Sequence, residues 1–190
     1  MFTRREGNLA QVEVTSKTVL IPNDVKILIE DGSVAVLGPL GEIKKDFSHA
    51  KVDIIKKGNE IQIEVIWPDK KKKALVGTIS SLIRNMITGV TKGYTYKLKI
   101  VFAHFPMTVR VEENRAVVEN FHGERKPRIG RILGDVKVEV MDEDVIVKGI
   151  DLNDVSQTAA NIQEATWIKK KDHRVFLDGI YIYEKSEGLY

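Results

Sequence analysis

The 190-residue chain contains no cysteine. That absence removes disulfides, thiolate metal sites and thiol nucleophiles together, and it suits a reducing compartment. No run approaches the roughly 18 apolar residues that a membrane span requires. The N-terminus, Met1-Phe2-Thr3-Arg4-Arg5-Glu6-Gly7, has no apolar stretch behind its arginines, which argues against secretion as well as membrane insertion. The four histidines, His49, His104, His122 and His173, are scattered, and no two have the i, i+4 spacing of a helical zinc site. What remains is 43% hydrophobic and 30% charged, with 30 Lys or Arg against 27 Asp or Glu and a formal net charge of +3. Such a chain can build a core and is neither a disordered acidic tail nor a polybasic arm. Its length fits one large domain or two small ones.

The chain repeats itself. Val25-Lys26-Ile27-Leu28-Ile29-Glu30-Asp31 lies over Met107-Thr108-Val109-Arg110-Val111-Glu112-Glu113, and at the same offset Gly41-Glu42 falls on Gly123-Glu124. Two residues further out of phase, Val52-Asp53-Ile54 matches Val136-Lys137-Val138, and Gly58 to Ile63 matches Asp142 to Val147. Apolar spacing and turn placement kept in order over about eighty residues indicate two copies of one domain.

Within each copy the apolar residues alternate as in half-buried strands: Val25, Ile27 and Ile29, then Val34 and Val36, then Ile61, Ile63 and Val65. Asp31-Gly32, Lys57-Gly58-Asn59 and Asp142-Glu143-Asp144 supply hairpin turns. The period then lengthens. Leu75, Ile79, Leu82, Met86 and Val90 predict one face of a helix that Gly93 ends, and Val155, Ala159 and Ile162 predict a shorter helix capped by Asp154 with Gln157 as its capping-box partner. The expected fold is α+β, a tandem duplication in which each half is an antiparallel β-sheet domain packed on one α-helix. The expected units are an extension at 1–11, a first repeat at 12–102 and a second at 103–190, divided where Ala103-His104-Phe105-Pro106 interrupts the alternation.

No catalytic group is nominated. Gly38-Pro39-Leu40-Gly41 lies between strands and lacks the Lys-Ser or Lys-Thr of a phosphate loop, so it reads as a turn. Asp142-Glu143-Asp144 sits at a hairpin tip, where a solvated turn is a better reading than a divalent-ion site. Ser80-Ser81 and Ser156 have no nucleophile-elbow motif around them. The expectation is therefore no enzyme, no metal and no cofactor.

Charge is unevenly placed. Residues 1–100 hold 17 basic and 11 acidic side chains, and 101–190 hold 13 basic and 16 acidic. Within the acidic second half, 8 of the 13 basic residues fall in two short stretches: Arg125, Lys126, Arg128, Arg131 and Lys169, Lys170, Lys171, Arg174. A polyanion is held by such local clusters, because each neutralised phosphate releases condensed counterions. Lys70-Lys71-Lys72-Lys73 reads equally as a solvated face or a secondary basic patch. The helices lack the basic side chains of a DNA recognition helix, and no RNP-type aromatic motif is present.

Three long segments resemble a known family. Asn85-Met86-Ile87-Thr88-Gly89-Val90-Thr91-Lys92-Gly93-Tyr94, Ala103-His104-Phe105-Pro106, and Lys171-Asp172-His173-Arg174-Val175-Phe176-Leu177-Asp178-Gly179-Ile180-Tyr181 are similar to the eukaryotic and archaeal branch of the sixth universal large-subunit ribosomal protein, L-nine in eukaryotic usage. The resemblance covers about residues 15–187 and departs in detail around Lys126-Pro127-Arg128. It implies the duplicated α+β architecture and a C-terminal half docked on large-subunit rRNA near the sarcin-ricin loop, where translational GTPases engage. The loop from Gly123 to Arg131 and the stretch from Lys169 to Tyr181, including His173, Gly179 and Tyr181, would then lie at the RNA surface. The implied partners are rRNA, neighbouring ribosomal proteins and, nearby, those GTPases, in the cytoplasmic ribosome, with neither membrane nor DNA. A free RNA-binding or assembly factor is the leading alternative, and an enzyme with a concealed site is the second.

Overall fold

Each alternating segment forms a strand whose apolar residues turn towards a helix. The computed structural model describes residues 13–103, 105–168, 172 and 175–189, so the extension expected at 1–11 lies outside the described residues. The first repeat runs β1 (Val14–Leu20), β2 (Lys26–Glu30), β3 (Ser33–Gly38), β4 (Gly41–Asp46), β5 (Asp53–Lys57), β6 (Glu60–Ile66) and α1 (Lys70–Thr91). The second runs β7 (Tyr94–Val101), β8 (Thr108–Glu112), β9 (Arg115–Glu119), β10 (Arg128–Arg131), β11 (Lys137–Met141), β12 (Asp144–Gly149) and α2 (Leu152–Ala165), and adds β13 (Gly179–Glu187). All pairings are antiparallel. The sheets are ordered β2-β3-β4 and β1-β6-β5 in the first repeat, β10-β9-β8 and β11-β12-β7-β13 in the second.

The duplication extends to single backbone atoms. Ile21 N–H donates to the Asn59 carbonyl at 2.8 Å, and its counterpart Ile100 N–H donates to Glu143 at 2.7 Å. Phe47 N–H to Gly32 O and Ile132 N–H to Asn114 O, both 2.9 Å, are a second matched pair. Asp31 and Glu113 open equivalent hairpin turns in the left-handed region, at φ 47° and 46°. The buried helical stripes also match, Val76, Ile79, Ser80 and Ile83 against Val155, Thr158, Ala159 and Ile162. Each stripe closes its own core, with Ile27, Val34, Val36, Ile61 and Ile63 in one and Leu98, Val118, Val145, Val147 and Ile180 in the other.

Three expectations are corrected. The sequence puts a strand from Tyr94 to Phe102 at the end of the first repeat, which places the division at 102/103; the strand observed there is β7. It pairs with β12 and β13 and packs in the second core, so it opens the second repeat as β1 opens the first. The turn at Gly93, φ +79°, is where the chain crosses over. The buried face of α1 centres on Val76, Ile79, Ile83, Met86 and Val90, with Leu75 and Leu82 at its margins. Two stripes one residue apart fit the same period, and the strands above select one. Finally, α2 starts a turn early: Asp151 is the N-cap, its carboxylate accepting from Asn153 N–H at 2.9 Å, and Gln157 bonds Asn161 instead of closing a capping box.

The repeats are bolted together. Lys45 meets Asp151 at 3.0 Å, Lys92 meets Glu187 at 3.1 Å, and Gly188 N–H donates to Gly93 O at 2.9 Å. Gly89 of α1 lies so close to the Ile150 carbonyl that a Cβ there would overlap it.

Candidate nucleic-acid interface

Arg125, Lys126, Arg128 and Arg131 lie at one end of the second repeat, where the loop before β10 meets the C-terminus of α2 and residues 175–178, which enter β13. Arg128 makes the junction. Its guanidinium takes both Glu124 oxygens, at 2.7 and 2.9 Å, and donates to the Ala165 and Trp167 carbonyls at 3.2 and 3.0 Å. It also lies 4.2 Å from the centre of the Phe121 ring. A planar fork at the end of a helix satisfies carbonyls that have no intrahelical partner and complements the negative end of the macrodipole. Arg128 is therefore a clamp that directs four of its N–H groups at protein acceptors. The clamp presents its neighbours Arg125 and Lys126, both exposed and without an ion pair among the described residues.

Arg131 is exposed at the end of β10, anchored through its carbonyl to Asn161 Nδ2 at 2.9 Å. It stands directly opposite Arg115 in the β9–β10 register, a like-charge pair that is unfavourable on its own and suits a shared anion. Arg115 carries no signal in the linear sequence; only strand pairing brings it beside Arg131.

Lys169, Lys170, Lys171, His173 and Arg174 lie outside the described residues, but both ends of their segment are held. On one side Ile168 is buried, and Thr166 Oγ1 accepts from Ile180 N–H at 2.9 Å. On the other, buried Asp178 accepts from Ala103 N–H at 3.0 Å and has His122 Nδ1 3.6 Å away. His122 packs edge-on against Phe121 and Phe176. Tyr181 OH donates to Leu177 O at 3.1 Å, and its ring covers Gly179 so closely that a Cβ there would stand 3.0 Å from it. Gly179 and Tyr181 thus shape the turn into β13. Around it Trp167, Val175, Phe176, Leu177 and Ile129 are exposed, which puts apolar and aromatic surface among the cations. Ala103 and Phe105, expected between domains, belong to this same corner: Phe105 packs beside Gly123, and Asn120 Nδ2 bonds Pro106 O at 3.0 Å.

Lys70, Lys71, Lys72 and Lys73 are not part of this cluster; they form the first turn of α1 in the other repeat. The hairpin carboxylates Glu143 and Asp144 are balanced by Lys99, at 3.3 and 3.6 Å. Among the described residues no group of three or more His, Asp or Glu side chains could hold a metal ion, and no helix is long and apolar enough to cross a membrane.

Sequence comparison follows the same duplication. A profile described as Ribosomal protein L6 matches residues 21–93 and again 105–179. Large ribosomal subunit protein uL6 of Desulfurococcus amylolyticus is 50% identical over 184 residues, which cover 95% of this chain and 100% of the relative. The protein of that name from Staphylothermus marinus is 54% identical over 88% of this chain and 92% of its own length, and that from Archaeoglobus fulgidus is 44% identical over 93% of both. Two profile matches laid on two structural repeats, with relatives aligned along nearly the whole length, establish that the chain belongs to the L6 family of ribosomal proteins.

Proposed function

We propose that the chain is a non-catalytic constituent of the cytoplasmic large ribosomal subunit and binds large-subunit rRNA through the second repeat. The observation that carries this reading is the gathering of exposed Arg125, Lys126, Arg115 and Arg131 on a corner that also exposes Trp167 and Phe176, with Lys169, Lys170, Lys171 and Arg174 between Ile168 and Val175 in the sequence. Lysines and arginines there neutralise phosphates and fix the register of the protein, and the aromatic surface favours RNA whose bases are unstacked. The sarcin-ricin loop region is the proposed position on the rRNA, next to where translational GTPases engage. Support for it comes from the family resemblance carried by the 171–181 motif. Neighbouring ribosomal proteins complete the proposed surroundings.

Quantitative mass spectrometry of high-salt-washed large subunits tests the assignment. The expected result is one copy of the chain per particle. Its loss from washed particles, with recovery in the free RNA-bound fraction, would make it an accessory factor instead.

A further inference from the structure

Trp67 follows β6 and precedes the N-cap of α1, in the repeat that does not carry the proposed rRNA loops. Its side chain is 58% exposed and its φ is +53°, in the left-handed region where a bulky residue is an outlier that the surrounding structure must enforce. The cross-strand neighbours Val14 and Ile66 beside it are each 48% exposed.

A run of cations follows this indole along the chain. Pro68 and Asp69 lead into Lys70, Lys71, Lys72 and Lys73, and from β1 the Lys17 ammonium reaches across to α1, where it would lie 3.5 Å from a Cβ on Gly77. Two nearby carboxylates are already engaged: Asp69 accepts from Lys72 N–H at 2.6 Å to close the first turn, and Glu13 takes Lys73 Nζ at 2.8 Å. Lys17, Lys70, Lys71 and Lys72 have no carboxylate partner among the described residues. Four lysines with no acid in the first turn of a helix oppose its dipole, so helix stability does not account for them. An acidic protein surface would use the lysines and leave the strained, exposed indole without a purpose. A single RNA strand uses both, its base on the ring face and its phosphates on the ammonium groups.

We propose that Trp67, Lys17, Lys70, Lys71 and Lys72 form a second RNA-binding surface, which stacks one unpaired base on the Trp67 indole and neutralises the flanking phosphates. It rests on the reading of the chain as an rRNA-binding protein but occupies the other repeat.

Oligoadenylate is the probe. The chain has 2 tryptophans, so Trp167→Phe in the full chain makes Trp67 the sole indole reporter. Saturable quenching of its fluorescence is expected. Affinity is then read from the anisotropy of labelled oligoadenylate in a background where Lys169, Lys170, Lys171 and Arg174 are Gln, which removes the second-repeat cluster. There Trp67→Leu should weaken binding about 5- to 150-fold, and Trp67→Phe should recover most of the loss. Changing Lys70, Lys71 and Lys72 together to Gln should lower the slope of log affinity against log salt by about 2, at roughly 0.7 per single-strand contact. Lys26, Lys44 and Lys51 changed to Gln form the charge-matched control, expected to act within about twofold of the parent. Unchanged Trp67 fluorescence at saturating oligoadenylate, or an equal loss from the control, overturns the site. Equal quenching by polyglutamate assigns the surface to an acidic protein and overturns it as well. A ribosome-bound chain without the quench contradicts this site alone. A quench in a chain missing from washed large subunits contradicts the ribosomal reading alone.

Discussion

Arg125 and Arg128 lie three residues apart and differ in what their charges meet. Arg128 faces Glu124 and the Ala165 and Trp167 carbonyls at and just beyond the end of α2, whereas Arg125 faces solvent. Arg128→Ala should therefore cost about 2 kcal/mol in urea unfolding, since charge-assisted bonds are lost and carbonyls are left without a donor. Arg125→Gln with Lys126→Gln should stay within about 0.5 kcal/mol of the parent and weaken rRNA binding instead. The sequence marks both arginines as one basic cluster because linear spacing cannot show which cation has an acid and two carbonyls within reach. Asp154 poses the same problem. It reads as a cap, yet it sits near Gly134 in a cleft between the repeats, lined also by Glu42, Asp135 and Asp151. Burial, then the Asp151 charge, raises its pKa above the ordinary carboxylate value, with Asp135 adding to this and Lys45 opposing it. The folded state thus holds this proton more tightly than the unfolded chain, and its ionisation costs stability as pH rises through and above the carboxylate range. Asp154→Asn should raise the unfolding midpoint at pH 7, and the gain should vanish as pH falls below the unfolded carboxylate value, measured by thermal melts across pH.

At the scale of elements, the strands and both helices are legible in the apolar period, and their partners are not. β7 alternates like any strand, but nothing in residues 94–101 states that β12 and β13 will flank it. The helix of the first repeat illustrates the other limit. Its buried stripe and the alternative one residue away share Ile79, Met86 and Val90, and the packing of β3 and β6 decides between them. Ile79 is 2% exposed, so Ile79→Ala should destabilise the chain by about 2 to 5 kcal/mol. Gly89→Ala probes the seam between repeats: the new methyl meets the Ile150 carbonyl and should cost about 1 to 3 kcal/mol through displacement of α1. Differential scanning calorimetry distinguishes these effects from an exposed control such as Ala74→Ser, expected within about 0.5 kcal/mol.

The whole molecule is a duplicated fold locked by its own C-terminal strand. β13 pairs with β7, and its last residues return to Gly93 and Lys92 at the crossover. Ala103 to Pro106, which the sequence marks as a division between domains, instead lies within the second repeat, between β7 and β8. A single nick there should leave the two fragments associated through the β7–β13 and β7–β12 pairings, and gel filtration under native conditions should show one species. Two separated fragments would contradict this locked arrangement.

Whether the second repeat holds the principal rRNA surface is decided by the salt dependence of binding. Affinity for an rRNA fragment from the factor-binding region is measured against salt for the parent chain, for a variant with Lys169, Lys170, Lys171 and Arg174 changed to Gln, and for one with Lys70 to Lys73 so changed. The 169–174 variant should lose about 3 from the slope of log affinity against log salt, at roughly 0.7 to 0.9 per phosphate contact, and the 70–73 variant should lose less on this fragment. An unchanged slope in the 169–174 variant, or equal losses from the two, would contradict it.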